Sequence, residues 1–185
     1  MNEVVEIDLP DKIEIHFHND YMHIARKWFD WKIVLVAAFA VIWDFFIFGD
    51  FLSKNEETEL LLGKLFLMTH FVVGVGITYY ALAGLFNKTD IYVSREAIQI
   101  KHKPLPWLGN KRLIATELKQ LYGKEVIRSH NFGNRVVYEV HTLISNGQNI
   151  KLLGGLETSE QALYIEQEIE KYLSIENIPI RGELG

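Results

Sequence analysis

The sequence predicts an α+β membrane protein: a two-helix transmembrane hairpin joined to an antiparallel β-sandwich or barrel that a C-terminal helix caps. Three observations carry that expectation. Two long apolar runs occupy residues 33–52 and 60–86, with few ionisable groups in either. Short alternating segments separated by turn residues fill residues 88–153. An apolar stripe at helical spacing follows, at Ala162, Ile165, Ile169, Tyr172 and Leu173.

Composition alone conceals this division. A chain of 185 residues that is 49% hydrophobic with net charge −5 reads as ordinary, because it averages apolar runs with a charge-rich remainder. There is no cysteine, which excludes a disulfide framework, a thiolate metal cluster and a cysteine nucleophile. Glu3, Glu6, Asp8 and Asp11 make residues 1–11 an acidic, extended segment. A secretory signal has a basic start followed at once by an apolar stretch, so membrane entry is expected from the internal runs instead.

Residues 12–28 read as a β-hairpin. Ile13, Ile15 and Phe17 alternate with Glu14, His16 and His18, and Asn19-Asp20 supplies a two-residue turn. That register sets Phe17 opposite Met22 and His16 opposite His23. His16, His18 and His23 then share a face and are the nearest approach to a metal site. No carboxylate is placed by the sequence as a fourth ligand, so a solvated polar face is the preferred reading and no metal or cofactor is assigned.

Residues 30–52 and 60–87 are the expected transmembrane helices, each long enough for a bilayer core of about 30 Å. Two buried helices of a soluble core are disfavoured by apolarity all round, aromatic flanks and length. Arg26, Lys27 and Lys32 precede the first span, and Lys88, Arg95, Lys101 and Lys103 follow the second. The loop at 53–59 holds three glutamates and one lysine. The positive-inside rule therefore places both termini in the cytoplasm of a multi-pass inner-membrane protein, with Trp28, Phe29 and Trp31 at the interface.

Asp44 and His70 are the ionisable residues nearest the middle of the two runs. Counted inward from the loop they lie at similar depth, roughly 12–15 Å, and they are expected to pair across the hairpin. The preferred role is a polar clasp; a proton- or ion-handling pair in an oligomer is the alternative. Gly63, Leu67, His70, Gly74, Ala81 and Gly84 fall near one stripe whose small residues would permit close helix packing.

In the later part, strands are expected at 90–94, 97–103, 112–116, 118–127, 135–145 and 149–153. Asn146-Gly147 closes the last hairpin, because glycine accepts the positive φ of such turns. Gly154-Gly155 reads as a turn into the final helix. Thr158 and Gln161 match a capping box, and Glu166, Glu168, Glu170 and Lys171 read as the solvated side of that helix. Residues 175–185 form a tail.

The stretches TDIYVSREAIQIKHKPLPWLGNKRLIATELKQLYGKEV and YEVHTLISNGQNIKLLGGLETSEQALYIEQEIEKYL, following a transmembrane hairpin, resemble the bacterial membrane-anchored proteins with a PH-like domain. The resemblance covers residues 88–174 and lies in the order of features. It implies a bent antiparallel sheet capped by a C-terminal helix, and PH-like domains in general are scaffolds for protein or phosphoinositide contacts. The hairpin at 12–28 is a candidate to complete the same sheet, with the transmembrane pair as an insertion.

Lys101, His102, Lys103, Lys111 and Arg112 flank the loop Pro104–Asn110, which has Trp107 near its centre. Lys101, Lys103, Trp107, Lys111 and Arg112 are the candidate lipid-surface contact, each base adding about 1 kcal/mol of attraction to an anionic leaflet. The competing reading has Trp107 simply closing the sheet. No Gly-rich phosphate loop, HExxH or GxSxG is present, so no enzyme is expected. The expected role is an interaction or scaffold module embedded in the bilayer, with a protein partner or a second copy and no nucleic acid. An anionic-lipid-responsive module, or a small proton- or ion-handling component, is the alternative.

Overall fold

The computed structural model describes residues 8–52, 61–130, 133–178 and 182–184. The loop at 53–59, residues 1–7 of the acidic segment and residues 179–181 of the tail lie outside the described residues. Among the described residues eight strands and three α-helices run in the order β1 (Ile13–Phe17), β2 (Tyr21–Lys27), α1 (Trp31–Leu52), α2 (Leu61–Phe86), β3 (Lys88–Ser94), β4 (Ala97–Lys103), β5 (Lys111–Ile114), β6 (Leu118–His130), β7 (Gly133–Ile144), β8 (Asn149–Leu156) and α3 (Ser159–Leu173). They fall into a β unit (Met1–Arg26, Thr89–Lys101, Leu108–Gly185) and a helical unit (Lys27–Lys88, His102–Trp107).

The β unit holds two antiparallel sheets, ordered β1-β2-β3-β4-β5 and β6-β7-β8. Among the described residues no closed barrel forms. β5 is only four residues long and ends in a 3-10 turn at Ala115–Glu117, after which β6 begins the other sheet. The hairpin before the apolar runs does join the sheet: β2 and β3 are neighbours there although α1 and α2 separate them in sequence. Its register pairs His16 with His23 and Phe17 with Met22, as the alternation required. Met22 and Ile24 consequently face inward with Ile91, Ile98, Leu121, Leu156 and Ile165 in one hydrophobic cluster drawn from both sheets and α3. Each such fully buried side chain contributes about 1.5–3 kcal/mol.

α3 starts where its cap predicts. The Thr158 hydroxyl accepts from the Gln161 amide at 3.3 Å, and the Gln161 side chain reaches back to the Glu157 amide at 3.1 Å. The expected solvated side is wrong at two positions. Glu166 and Glu170 are 1% and 4% exposed. Glu170 Oε1 accepts from the Leu121 amide at 3.0 Å, and Glu166 Oε2 accepts from the Gly123 amide. β6 is the edge of its sheet, so its outward N–H groups need acceptors, and carboxylates four residues apart on one helix face supply them.

In the helical unit, α1 and α2 span 22 and 26 residues and are both long and apolar enough to cross a membrane. They run antiparallel, because Gly74 approaches Trp43 and Asp44 while Gly84 approaches Ile33. Away from that seam their large apolar side chains are exposed, Phe45 at 75% and Leu62 at 79% among them.

Candidate functional site

The entry to α1 and the exit from α2 are tied together by hydrogen bonds. The Trp28 amide donates to the Asn87 carbonyl at 3.2 Å, and the Asn87 amide closes the last turn of α2 onto Ala83 at 2.9 Å. The buried Asn87 side chain then clamps the loop after β4. Its Nδ2 donates to the Leu105 carbonyl at 3.0 Å, and its Oδ1 accepts from the Leu105 amide at 2.8 Å. The clamp sets Trp107 parallel to Tyr79, centroids 6.1 Å apart, and edge-on to Trp28 at 5.4 Å. Tyr80 and His102 complete an aromatic collar, and the Tyr79 hydroxyl donates to the Pro106 carbonyl.

Trp107 is therefore held at the end of α2 within the helical unit, in company the sequence reading did not assign to it. Tyr79, Tyr80 and Asn87 were missed because they sit at the tail of an apolar run, where only their polar tips distinguish them.

The basic candidates divide. Lys103 belongs to the helical unit with Trp107, while Lys101, Lys111 and Arg112 belong to the β unit. Strand pairing sets Ile100 opposite Lys111 and Gln99 opposite Arg112. Paired residues share a face, so Lys111 turns to the side of buried Ile100, and Arg112 and Lys101 turn to the other. Lys111 Nζ donates to the Lys151 carbonyl at 2.7 Å. Burial and the Lys151 charge push its pKa down, against a pull upward from Glu139.

Asp44 and His70 do not bond each other. Asp44 Oδ2 accepts from the Thr78 hydroxyl at 2.6 Å. His70 Nδ1 meets the Phe66 carbonyl at 2.8 Å, which requires the proton on that nitrogen, and its ring stacks on Trp43 at 5.5 Å. Trp43 in turn donates Nε1 to the His70 carbonyl at 3.3 Å. The residues next to one another across the seam are thus Trp43 with His70 and Asp44 with Thr78. Helix phase, which depth counting ignores, explains the difference. Beside this seam lies an open groove of about 1090 Å³ lined by Asp44, Phe48, Lys64, Met68, Thr78 and Leu82 among others.

The histidines of β1 and β2 share a face, as expected, but they do not converge on a point. His23 Nε2 lies 2.8 Å from Asp90 Oδ1 and its ring stacks on Tyr92 at 4.6 Å. His18 stacks on Tyr21 at 4.4 Å, and His16 stands 6.0 Å from His23. Among the described residues no group of three or more His, Cys, Asp or Glu is placed to hold a metal ion. The carboxylate beside His23 comes from β3, distant in sequence, and only the sheet order brings it there.

Searches for relatives add nothing to this geometry: no protein-family model matches the chain, and no curated protein matches it.

Proposed function

We propose that this chain is a multi-pass protein of the inner, cytoplasmic membrane that holds a PH-like β domain at the cytoplasmic surface as a non-enzymatic interaction or scaffold module. One observation carries the membrane part. α1 and α2 present exposed phenylalanines, leucines and valines along their lengths, a surface that water would drive into association and that lipid tails match. A core helix of a soluble protein would be covered instead.

Two further features support the reading. The collar of Trp28, Tyr79, Tyr80 and Trp107 lies at one end of the helix pair, and such rings favour the headgroup level. Lys27, Lys32 and Lys88 flank the same end in sequence, which argues for that end as the cytoplasmic one. The PH-like comparison rests on element order: antiparallel strands in two sheets, then a terminal helix. Such a fold assigns no activity by itself. The scaffold reading draws on a chain without cysteine or nucleophile motifs whose domain is tethered by an insertion between two strands of one sheet.

Purification of the full-length protein from native membranes in mild detergent, with mass spectrometry of what accompanies it, tests the proposal. A stoichiometric protein partner or a defined homo-oligomer supports it. A monomer carrying neither a partner nor a second copy contradicts it. Enrichment of anionic lipid alone would favour a second reading, lipid contact at the collar, whose tryptophan and tyrosine rings suit the headgroup level.

A further inference from the structure

β6 and β7 form a ribbon whose register runs without interruption from Gln120 opposite Leu143 to His130 opposite Gly133, whereas β8 reaches only as far as Tyr138. One face of this sheet belongs to the core through Leu121 and Val140. The other carries Lys124, Arg128, Arg135 and Lys151, with Glu139 as the carboxylate among them. In a chain of net charge −5 that is a local reversal of sign.

The arrangement around Glu139 shows what the face can hold. Its carboxylate is 6% exposed and takes Arg128 Nη2 at 3.1 Å, His141 Nε2 at 3.0 Å and Lys151 Nζ at 3.3 Å. Those bonds outweigh burial and hold its pKa below the usual carboxylate range. Lys124 stands directly opposite Glu139 in register yet makes no bond to it. Two same-face rungs further out, beyond Val126 opposite Val137, Arg128 and Arg135 stand directly opposite each other, both exposed. Opposed residues have Cβ atoms about 5 Å apart, and like charges in that position are destabilising. Arg128 commits one nitrogen to Glu139, and Arg135 makes no side-chain bond among the described residues.

We propose that the Arg128–Arg135 pair is a binding site for a dianionic phosphate group. Guanidinium groups carried at opposed positions can bind different oxygens of one phosphate, which would turn a repulsive pair into charge-assisted contacts. Glu139 already meets one nitrogen of Arg128, so the uncompensated charge lies at Arg135 and the remaining nitrogens of Arg128. The ligand chemistry is the doubly charged phosphate group, whether free or carried on a lipid headgroup.

The test uses the full chain in a nonionic detergent at fixed ionic strength. Thermal unfolding is followed against inorganic phosphate with chloride as the control, and against dioctanoyl phosphatidic acid with dioctanoyl phosphatidylcholine as the control. Stabilisation by both phosphate and phosphatidic acid assigns a site for the free group; stabilisation by phosphatidic acid alone assigns the headgroup. Arg135→Gln should weaken either ligand about tenfold or more, the effect of one lost charge-assisted bond, while melting at or above the wild-type temperature without ligand. Arg112→Gln, on the other sheet, should change nothing. Arg128→Gln also unpairs Glu139, so Arg135→Gln is the deciding variant. No shift with either phosphate ligand overturns the proposal, as does a shift that survives Arg135→Gln undiminished. Response to polyglutamate but to neither phosphate ligand would assign the face to an acidic polypeptide and overturn it equally.

Discussion

Asp44 on α1 accepts a hydrogen bond from the Thr78 hydroxyl on α2 at 2.6 Å. In hydrocarbon a carboxyl group has few ways to be satisfied, and this bond provides one across the seam of the two helices. It makes Asp44 part of what holds the hairpin together.

Thr78→Val removes the donor and keeps the shape. We expect it to destabilise the hairpin by about 0.6–2 kcal/mol, measured by unfolding of the full chain in mixed micelles. His70→Ala should leave the Asp44 bond intact, so its effect should not couple with that of Thr78→Val. A double-mutant cycle reads this directly, and a strong coupling would restore an Asp44–His70 pair.

Gly74 and Gly76 offer a paired test of helix contact. A Cβ at Gly74 would come within 2.7 Å of Asp44 Oδ1 and 3.0 Å of Trp43, whereas one at Gly76 meets nothing within 4 Å. Gly74→Ala should therefore push the helices apart, costing about 1–3 kcal/mol as overpacking does. Gly76→Ala should be neutral or mildly stabilising in the same assay. Equal effects would mean that α1 and α2 do not pack as described.

How much of this was legible varies by element. Alternation in Ile13–Phe17 gave the strand and its register, because inward and outward residues are chemically distinct there. The two apolar helices were equally plain. The burial of Glu166 and Glu170 was not, although both lie on the stripe of Ala162, Ile165 and Ile169 at spacings of one, four and five. Their charge argues for solvent against their position, and the edge strand that needs their oxygens is not encoded in α3 alone. Asp90 beside His23 and Lys151 beside Glu139 are likewise products of sheet order, which local sequence does not carry.

Stability should depend on pH through α3. Burial, then the neighbouring charges of Glu170 and Glu183, lift Glu166 to about 8, and burial lifts Glu170 to about 7, from an ordinary 4.5. Both values are raised in the folded state, so their contribution is complete below the unfolded value and lost as pH rises through 7 to 8. Glu166→Gln keeps an oxygen for the Gly123 amide and removes the titrating proton. Melting temperature should then fall less between about pH 6 and about pH 9 than in wild type. An unchanged slope would contradict the assignment.

Glu157 joins two distant parts of the β unit. Lys12 Nζ reaches its two oxygens at 2.9 and 2.8 Å, and Arg26, 7% exposed, lies 4.0 Å from it while donating to the Gly155 carbonyl at 2.7 Å. Burial lowers the Arg26 pKa and Glu157 opposes that shift. Glu157→Gln leaves a buried guanidinium with less compensation, and a loss of about 1–3 kcal/mol is expected on denaturant unfolding. Lys12→Met, at a partly exposed pair, should lose less than about 1 kcal/mol.

The proposed topology is a hairpin through the bilayer with the β domain on the cytoplasmic side. The chain has no cysteine, so single cysteines report position without background. Ser53→Cys, Ser145→Cys and Val72→Cys would be probed in intact cells with a membrane-impermeant maleimide, then again after lysis. This topology predicts labelling of Ser53→Cys in intact cells, of Ser145→Cys only after lysis, and of Val72→Cys in neither. Labelling of Ser145→Cys in intact cells, or of Val72→Cys in the lysate, would contradict it.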